Sequence, residues 1–341
     1  MNEYAVIIHH CDNDGYLSAT ELSIVAERKF NIPRQNQRFF CFNYNNTEEL
    51  SVQFDDWMSM GIVDPESTVL LMGDISISAG NIPLFTRLCK MCKTTMWFDH
   101  HATSLATCEA SEYLNYLPGI RSTEYCGAKL IWDFFPEVFK EFPSGEYVVN
   151  LVDDHDRFIH EMHGSRTFLS GTMAIEESSH PETSDFWLDC LRSKTHTMDI
   201  INMGFTIDKY KAQDEQRSRK SLMFEREFTI KDNQGRRKTL QMACINRSYN
   251  SDIFGEEYEK YPIVCCFTYN GKAWKYSLYS SRPDACCNKI AQAYSVGGGG
   301  HPGAAGFVRS ENLFNRVNVV TPPINGNLND YFGEYPVIDA R

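Results

Sequence analysis

The sequence predicts an α/β protein: a parallel-sheet N-terminal domain, a helical connector and a smaller α+β C-terminal domain. Three observations point there. Short apolar runs in the first half alternate with stretches of helical spacing, as in a parallel sheet covered on both faces. Phe186 to Arg219 is largely helical in pattern. The second half changes to paired strand-like runs with hairpin signals between them. The expected division is 1–184, 185–219 and 220–341. A length of 341 residues with 42% hydrophobic and 23% charged residues is ordinary for a globular chain and suits two domains.

Taken in order, Tyr4–His9 (YAVIIH) reads as a buried-type strand, and Tyr16–Phe30 has helical spacing through Leu17, Leu22, Ile24 and Val25. Arg38–Asn43 is a second strand and Thr68–Met72 a third, ending at Gly73-Asp74. Ile82–Lys93 reads as a helix and Thr94–Phe98 as a fourth strand, ending at Asp99. Thr123–Phe135 and Glu146–Val152 read as helices that close the domain. Beyond the connector, Phe224–Lys231 and Lys238–Asn246 flank Asp232-Asn233-Gln234-Gly235, and Ile263–Tyr269 and Lys272–Tyr279 flank Asn270-Gly271, a two-residue hairpin signal. Ala285–Tyr294 reads as a helix, followed by Gly297-Gly298-Gly299-Gly300-His301. The tail beyond about Asn315 is rich in Pro, Asn and Gly and reads as irregular.

A net charge of -12 argues against a charge-driven grip on long duplex nucleic acid. It leaves room for a small nucleotide, because bound cations and a few local Arg or Lys reverse the field inside one cleft. The apolar run Ala5–Ile8 is too short for a signal peptide, and no stretch reaches a membrane span of about 18 apolar residues. A soluble, cytoplasmic chain with no membrane partner is therefore expected. The twelve cysteines are scattered, so reduced thiols are the default. Cys89 and Cys92 form one CxxC without a second pair, which fits two thiols on a helix better than a zinc ribbon.

The chemistry lies where predicted strands end, the edge at which open parallel sheets gather ligands. The first strand runs into His9-His10-Cys11-Asp12-Asn13-Asp14-Gly15, the third into Gly73-Asp74 and the fourth into Asp99-His100-His101. A further cluster, Asp153-Asp154-His155-Asp156, follows Tyr147–Val152. Singly, each has a bland reading: a D-x-D-G turn, a helix cap, an exposed acidic loop. Jointly they bring carboxylates and imidazoles to one edge, where unpaired charges would repel. Bound divalent cations resolve that conflict. A mixed Asp/His set without thiolate favours Mn²⁺ or Mg²⁺ over structural zinc. A pair of such ions roughly 3.5–4 Å apart suits in-line attack on phosphorus.

These residues resemble the DHH phosphoesterase superfamily. His10-x-Asp12-x-Asp14-Gly15-x-x-Ser18-Ala19 resembles its first motif, Gly73-Asp74 its second, Asp99-His100-His101 the motif that names it, and Asp154-His155-Asp156-Arg157-Phe158 its fourth. Gly297 to Phe307 (GGGGHPGAAGF) is similar to the glycine motif of the DHH-associated substrate domain, with Ser281-Arg282 upstream. The likeness spans roughly residues 5 to 310. It implies a two-metal hydrolase with Mn²⁺, or Mg²⁺ or Co²⁺ in its place. One ion would take His10, Asp12 and Asp74; the other Asp14, Asp74, His100 and Asp154, with Asp74 bridging. His9 competes with His10, and Asp153 and Asp156 compete with Asp154, which the spacing to Phe158 favours. Asp99 would support the metal shell and His101 would stand beside the reacting phosphate. Arg282, Gly298, Gly299, Gly300 and His301 would hold substrate, the glycines by letting backbone N–H groups approach a phosphate.

The expected activity is hydrolysis of short oligoribonucleotides or small nucleotides. A cyclic mono- or dinucleotide phosphodiesterase is the second reading, and a nucleotide-binding regulator without catalysis the third. The expected partner is a short RNA or nucleotide, with a homodimer as the candidate assembly.

Overall fold

The computed structural model describes residues 3–43, 46–231, 237–282, 285–295 and 297–314. The chain divides into two compact units, Met1–Lys209 and Tyr210–Arg341. Together they hold a parallel α/β sheet and a separate mixed sheet, the α/β plus α+β architecture expected from the sequence.

The first unit begins β1 (Tyr4–His10), α1 (Asn13–Lys29), β2 (Gln37–Phe42), α2 (Thr47–Ser59), β3 (Thr68–Gly73), α3 (Ile82–Lys90) and β4 (Thr94–Phe98). It continues with α4 (Ala102–Ala110), α5 (Glu112–Asn115), α6 (Gly127–Phe134), α7 (Pro136–Phe139), α8 (Gly145–Asp156), α9 (Ser165–Thr172) and α10 (Phe186–Arg192). The strands are all parallel, in the order β2-β1-β3-β4. The chain therefore leaves β1 to one side for β2 and returns to the other side for β3. That reversal opens a crevice at the carboxyl ends of β1 and β3.

Strand alternation feeds two cores. Ala5 and Ile7 of β1, Val69 and Leu71 of β3, and Met96 and Phe98 of β4 pack with α1, α6 and α8. Their neighbours Val6, Ile8, Leu70, Met72 and Trp97 pack on the other face with Leu50, Phe54, Phe85 and Leu88. Each fully buried aliphatic side chain contributes ~1.5–3 kcal/mol relative to exposure, so the sheet register is fixed from both sides. The helix α2 has no counterpart among the sequence expectations. Its packing residues Leu50, Phe54 and Trp57 recur at helical spacing within a largely polar segment.

Two further elements differ from expectation. The helix expected over 123–135 starts only at Gly127, because Cys126 is extended and donates its N–H to Asp153 Oδ1. Phe135 then breaks the helix ahead of Pro136, which opens α7. The helix expected to stop at Val152 continues to Asp156, so the acidic cluster occupies its last turn rather than a loop.

The long helix α11 (Lys194–Leu222) runs across the division between the units. The second unit holds β5 (Met223–Lys231), β6 (Arg237–Asn246), β7 (Ile263–Tyr269), β8 (Trp274–Tyr279), α12 (Cys287–Tyr294), β9 (Gly299–His301) and β10 (Ala304–Arg309). They form one sheet ordered β5-β6-β7-β8-β10-β9, antiparallel except between β6 and β7. Cys244, Cys265 and Phe267 face α12, while Ala243, Ile245, Val264 and Cys266 pack with Ile253 and Phe254. The β7–β8 connection is a four-residue loop, not the two-residue turn expected. Asn270 Oδ1 accepts from the N–H groups of Lys272 and Ala273, and Tyr269 pairs with Trp274. The expected turn over 232–235 and the tail beyond residue 315 lie outside the described residues.

Among the described residues, no helix is long and apolar enough to cross a membrane. Cys11 and Cys41 depart from the expectation of reduced thiols: Cys11, directly after β1, is joined as a disulfide to Cys41, which lies within β2 in register with His9.

Candidate metal centre

Five carboxylates and three imidazoles of the first unit meet at the carboxyl edge of its sheet. His10 ends β1. Asp12 caps α1, its Oδ1 accepting from Gly15 N–H at 2.9 Å. Any side chain at Gly15 would strike the His10 carbonyl oxygen at 2.3 Å, so glycine lets the helix start this close to the strand end. Asp14 lies in the first turn of α1, Asp74 directly after β3, and Asp99-His100-His101 directly after β4. Asp156 arrives from the last turn of α8.

These groups form three overlapping sets whose ligand atoms lie within 4.8 Å of one another: His10, Asp12 and Asp74; Asp74, His100 and His101; and Asp14, His100 and Asp156. His10 Nδ1 is 2.7 Å from Asp12 Oδ2 and 3.7 Å from Asp74 Oδ2. His100 Nε2 is 3.3 Å from Asp74 Oδ1, 3.4 Å from Asp156 Oδ2 and 3.7 Å from Asp14 Oδ2. Asp74 therefore stands between the two sides of the cluster. Its backbone has φ of 57°, a left-handed conformation that few non-glycine residues adopt.

The electrostatics explain what the cluster requires. Asp74 is 1% exposed and Asp14 equally so. Burial, and then the neighbouring carboxylates Asp14, Asp12, Asp99 and Asp156, push the Asp74 carboxyl well above its ordinary range. Burial also raises Asp14. Asp156 is pushed up to about 7 by burial and by Asp14 and Asp12. At Asp12, burial is the largest single effect and raises the carboxyl, but the His10 hydrogen bond, the His10 charge and the Gly15 N–H together outweigh it, and the carboxyl falls below its usual range. That bond in turn raises His10. Asp74 Oδ1, Asp99 Oδ2 and Asp156 Oδ2 are buried without a hydrogen-bond donor. Buried carboxylate oxygens left this way are costly. Divalent cations among them would supply the missing partner, and the all-oxygen and imidazole donor set fits Mn²⁺ or Mg²⁺.

Supporting amides converge from α6. Gly127 N–H donates to Asp14 Oδ2 and Ala128 N–H to Asp14 Oδ1, both at 2.7 Å. A Cβ at Gly127 would sit 2.9 Å from Asp74 Cβ and 3.1 Å from Asp14 Oδ2, so the helix start can approach only as glycine. These amide contacts have no sequence motif of their own; the Cys126-Gly127 pair before an apolar helical run is their only trace.

The sequence-named residues separate as follows. His10, Asp12, Asp14, Asp74, Asp99, His100 and His101 are brought together. His9 is turned away: it is buried beside Tyr16, its Nδ1 contacts the His10 carbonyl, and burial lowers it to about 4. Asp154 is not in the cluster. Its Oδ1 accepts from the N–H groups of Glu161 and Met162, both at 2.9 Å, and so ties down the chain after α8. Asp153 accepts from Cys126 N–H. Asp156 occupies the place at which Asp154 was expected. The signal lay in helical periodicity: Asp156 follows buried Val149 and Val152 by seven and four residues, on the face turned to the core. His101 Nδ1 lies 2.9 Å from Asp99 Oδ1, a bond that raises the imidazole above its ordinary value.

The second unit carries the remaining named residues. Gly299, Gly300 and His301 form β9 against β10. Gly300 has φ of 143°, and a Cβ there would meet the Ala304 carbonyl oxygen at 2.6 Å. Gly298 N–H is committed to the Ser295 carbonyl. The exposed His301 accepts from Gly303 N–H through Nδ1, and Arg282 donates to the carbonyls of Glu259 and Lys260. Ser280, Ser281, Arg282, Cys286, Pro302 and Gly303 line an open pocket of about 180 Å³.

No family model and no curated protein sequence matches the chain. Among solved structures, it resembles the DHH domain of a member of a ribosomal-protein family: 13% identity, 90% of this chain and 83% of that one, TM-score 0.51. The chain has the DHH fold. Structures at 11–12% identity include a pGpG-specific phosphodiesterase from Vibrio cholerae, over 91% of this chain and 94% of that one at a TM-score of 0.46. An exonuclease RecJ bound to manganese matches over 90% and 86%, also at 0.46. In this chain of DHH fold, residues of the first three motif-like segments crowd the sheet edge, and the fourth contributes Asp156 instead of Asp154.

Proposed function

We propose that the chain is a two-metal phosphodiesterase of the DHH superfamily that hydrolyses short oligoribonucleotides or small nucleotides. The supporting observation is the cluster itself: buried carboxylate oxygens without donors, grouped in three-donor sets that share Asp74 and His100. His10, Asp12 and Asp74 would hold one divalent ion; Asp14, His100 and Asp156 would hold the other, with Asp74 adjoining both. Mn²⁺ is the favoured ion, with Mg²⁺ or Co²⁺ as substitutes. Such a pair, when bound, lowers the pKa of a water and stabilises charge on phosphoryl oxygens.

The protein groups divide the rest of the work. Asp99 fixes the His101 ring through Nδ1 and favours its protonated form. His101 is about a third exposed, and its remaining ring nitrogen is available to protonate a leaving oxygen. Amides of Gly127 and Ala128 hold Asp14 in place before substrate arrives. In the second unit, Arg282, which lines the open pocket, would supply a cationic group for a nucleotide phosphate, and the exposed His301 a donor.

The test is a hydrolysis panel with product identification: a ribodinucleotide, a five-nucleotide RNA and a cyclic dinucleotide, each with Mn²⁺, Mg²⁺ and Co²⁺. Cleavage of the linear substrates at least tenfold faster than the cyclic one is expected. Tight nucleotide binding with no cleavage under any metal would replace this reading with a non-catalytic regulator.

A further inference from the structure

The turn after α8 carries an aromatic group that the hydrolytic machinery does not use. Phe158 is 81% exposed, the most exposed large apolar side chain among the described residues. Its backbone has φ of 56°, and His160 has φ of 57°. Left-handed conformations are unfavourable for bulky residues and persist only where the surroundings enforce them. Here they are enforced. Phe158 N–H donates to the His155 carbonyl, and the N–H groups of Ile159 and His160 both donate to the Asp154 carbonyl. The Asp154 carboxylate then holds the N–H groups of Glu161 and Met162. The turn is thus fixed at each of these amides, yet it presents the Phe158 ring to solvent instead of to a core.

The ring has aromatic backing. His155 lies nearly parallel to it, at 25° with centroids 6.5 Å apart, and His160 meets it edge-on at 5.7 Å. His155 and His160 contact each other at 5.3 Å. A strained backbone that holds a large apolar ring in water, braced by two imidazoles, gains nothing in stability from the exposure. It fits a surface made to receive a flat partner.

Position indicates which partner. Phe158 is two residues beyond Asp156, so their Cα atoms are at most ~7 Å apart. Asp156 Oδ2 belongs to the cluster with Asp14 and His100. A phosphate held there carries its nucleobase one sugar away, a span comparable with the reach that this two-residue spacing allows. Resting on the phosphodiester reading above, we propose that Phe158, braced by His155 and His160, is a stacking platform for a nucleobase flanking the scissile phosphate. Stacking is tolerant of base identity, since every base presents a π face. The site therefore selects for the presence of a base and not for its sequence.

A ribodinucleotide with a non-hydrolysable methylene-bridged linkage, carrying 2-aminopurine at either position in turn, tests this in saturating Mn²⁺. Wild-type protein is expected to quench the fluorescence of one of the two probes. Phe158→Ala should lose that quench and bind at least tenfold more weakly, and Phe158→Tyr should retain both. Because Phe158 packs against no core, circular dichroism of Phe158→Ala should match wild type. No quench in wild type, or equal quench and affinity in Phe158→Ala, overturns the proposal. Hydrolysis of the unmodified dinucleotide by wild type is measured alongside. Failure to cleave sinks the enzymatic reading, whereas unchanged quenching with cleavage intact sinks the stacking site alone.

Discussion

The presence of Asp156, and not Asp154, in the candidate metal cluster gives a matched pair of variants, Asp156→Asn and Asp154→Asn. Both replace a carboxyl by an amide of nearly the same shape, in the same last turn of one helix. Asp156 Oδ2 lies 3.4 Å from His100 Nε2 and has no hydrogen-bond donor, so its loss would remove the proposed ligand and no structural bond. Even an outer partner of a metal ligand is worth ~10–100-fold in affinity, so a direct ligand should cost at least ~100-fold. Metal that binds only the folded state stabilises it by RT ln(1 + [L]/Kd), and a 100-fold weaker Kd forfeits ~2.7 kcal/mol. For a unit the size of Met1–Lys209, each kcal/mol is worth ~2–4 °C, so the Mn²⁺-induced rise in Tm should shrink by ~5–10 °C in Asp156→Asn. Asp154→Asn behaves differently. It weakens two charge-assisted bonds, to Glu161 and Met162, and costs ~1–2 kcal/mol with or without metal. Its Tm falls, but its Mn²⁺ shift stays at the wild-type size. Thermal scans of the three proteins across a Mn²⁺ titration decide the matter. A lost shift in Asp154→Asn with a full shift in Asp156→Asn would refute the assignment.

Other outcomes are equally specific. Asp74→Ala removes the carboxylate that would adjoin both proposed ion positions and should abolish turnover while the protein stays folded; wild-type activity would refute the whole site assignment. His101→Ala should lower kcat by ~10²–10⁴-fold, the usual contribution of a positioned acid, and flatten the alkaline limb of the pH–rate profile. His301→Ala should raise KM by roughly tenfold as well as lower kcat, as expected for loss of a charge-assisted contact to substrate. In metal-free protein, stability should fall as pH rises from about 4 to about 7 by urea titration. Asp74, Asp14 and Asp156 have raised pKa values, so the folded state holds protons that the unfolded chain has released. His10 and His101 are raised too, and their stabilisation is likewise lost as pH climbs through their folded values. Saturating Mn²⁺ should remove this slope; a metal-free protein that gains stability over that range would contradict the charge crowding.

The sheet was legible because its strands are apolar on both faces. Val6 and Ile7 point oppositely and both are fully buried, so an unbroken hydrophobic run marks the element wherever it begins. The helix α2 was not legible, since it buries only Leu50, Phe54 and Trp57 among charged neighbours and rests on tertiary packing for its stability. The residues at strand ends were readable for the same reason as the strands: His10, Asp74 and Asp99 follow apolar runs immediately. The α8 carboxylate that joins the cluster was harder. Asp153, Asp154 and Asp156 are chemically alike, and only the helix phase separates them; a helix taken to end at Val152 has no phase to extend. The Gly127 and Ala128 contacts to Asp14 join segments 113 and 114 residues apart, and nothing local encodes them.

That last contact bears on how such a cluster survives folding. Five carboxylates gathered at one sheet edge need positive charge, and a lysine or arginine placed among them would occupy the space that an ion must take. The fold instead uses partial charge. The start of α1 serves Asp12 through Gly15 N–H, and the start of α6 serves Asp14 through two amides. Helix N-termini carry roughly half a positive charge and hold it rigidly. They stabilise the carboxylates without filling the crevice, and each oxygen of Asp14 keeps a further lone pair for a cation. Asp74 receives no such help at Oδ1, and its carboxyl is held well above its ordinary range by burial and the neighbouring carboxylates. The arrangement leaves the deficit of positive charge at Asp74, where the two proposed ion sites would adjoin. An Ala at Gly127 would displace α6 from Asp14 by its clash with Asp74, and should weaken Mn²⁺ binding although residue 127 offers no side-chain ligand. Isothermal titration of Gly127→Ala checks this: unchanged Mn²⁺ affinity would mean that the helix amides are structural bystanders.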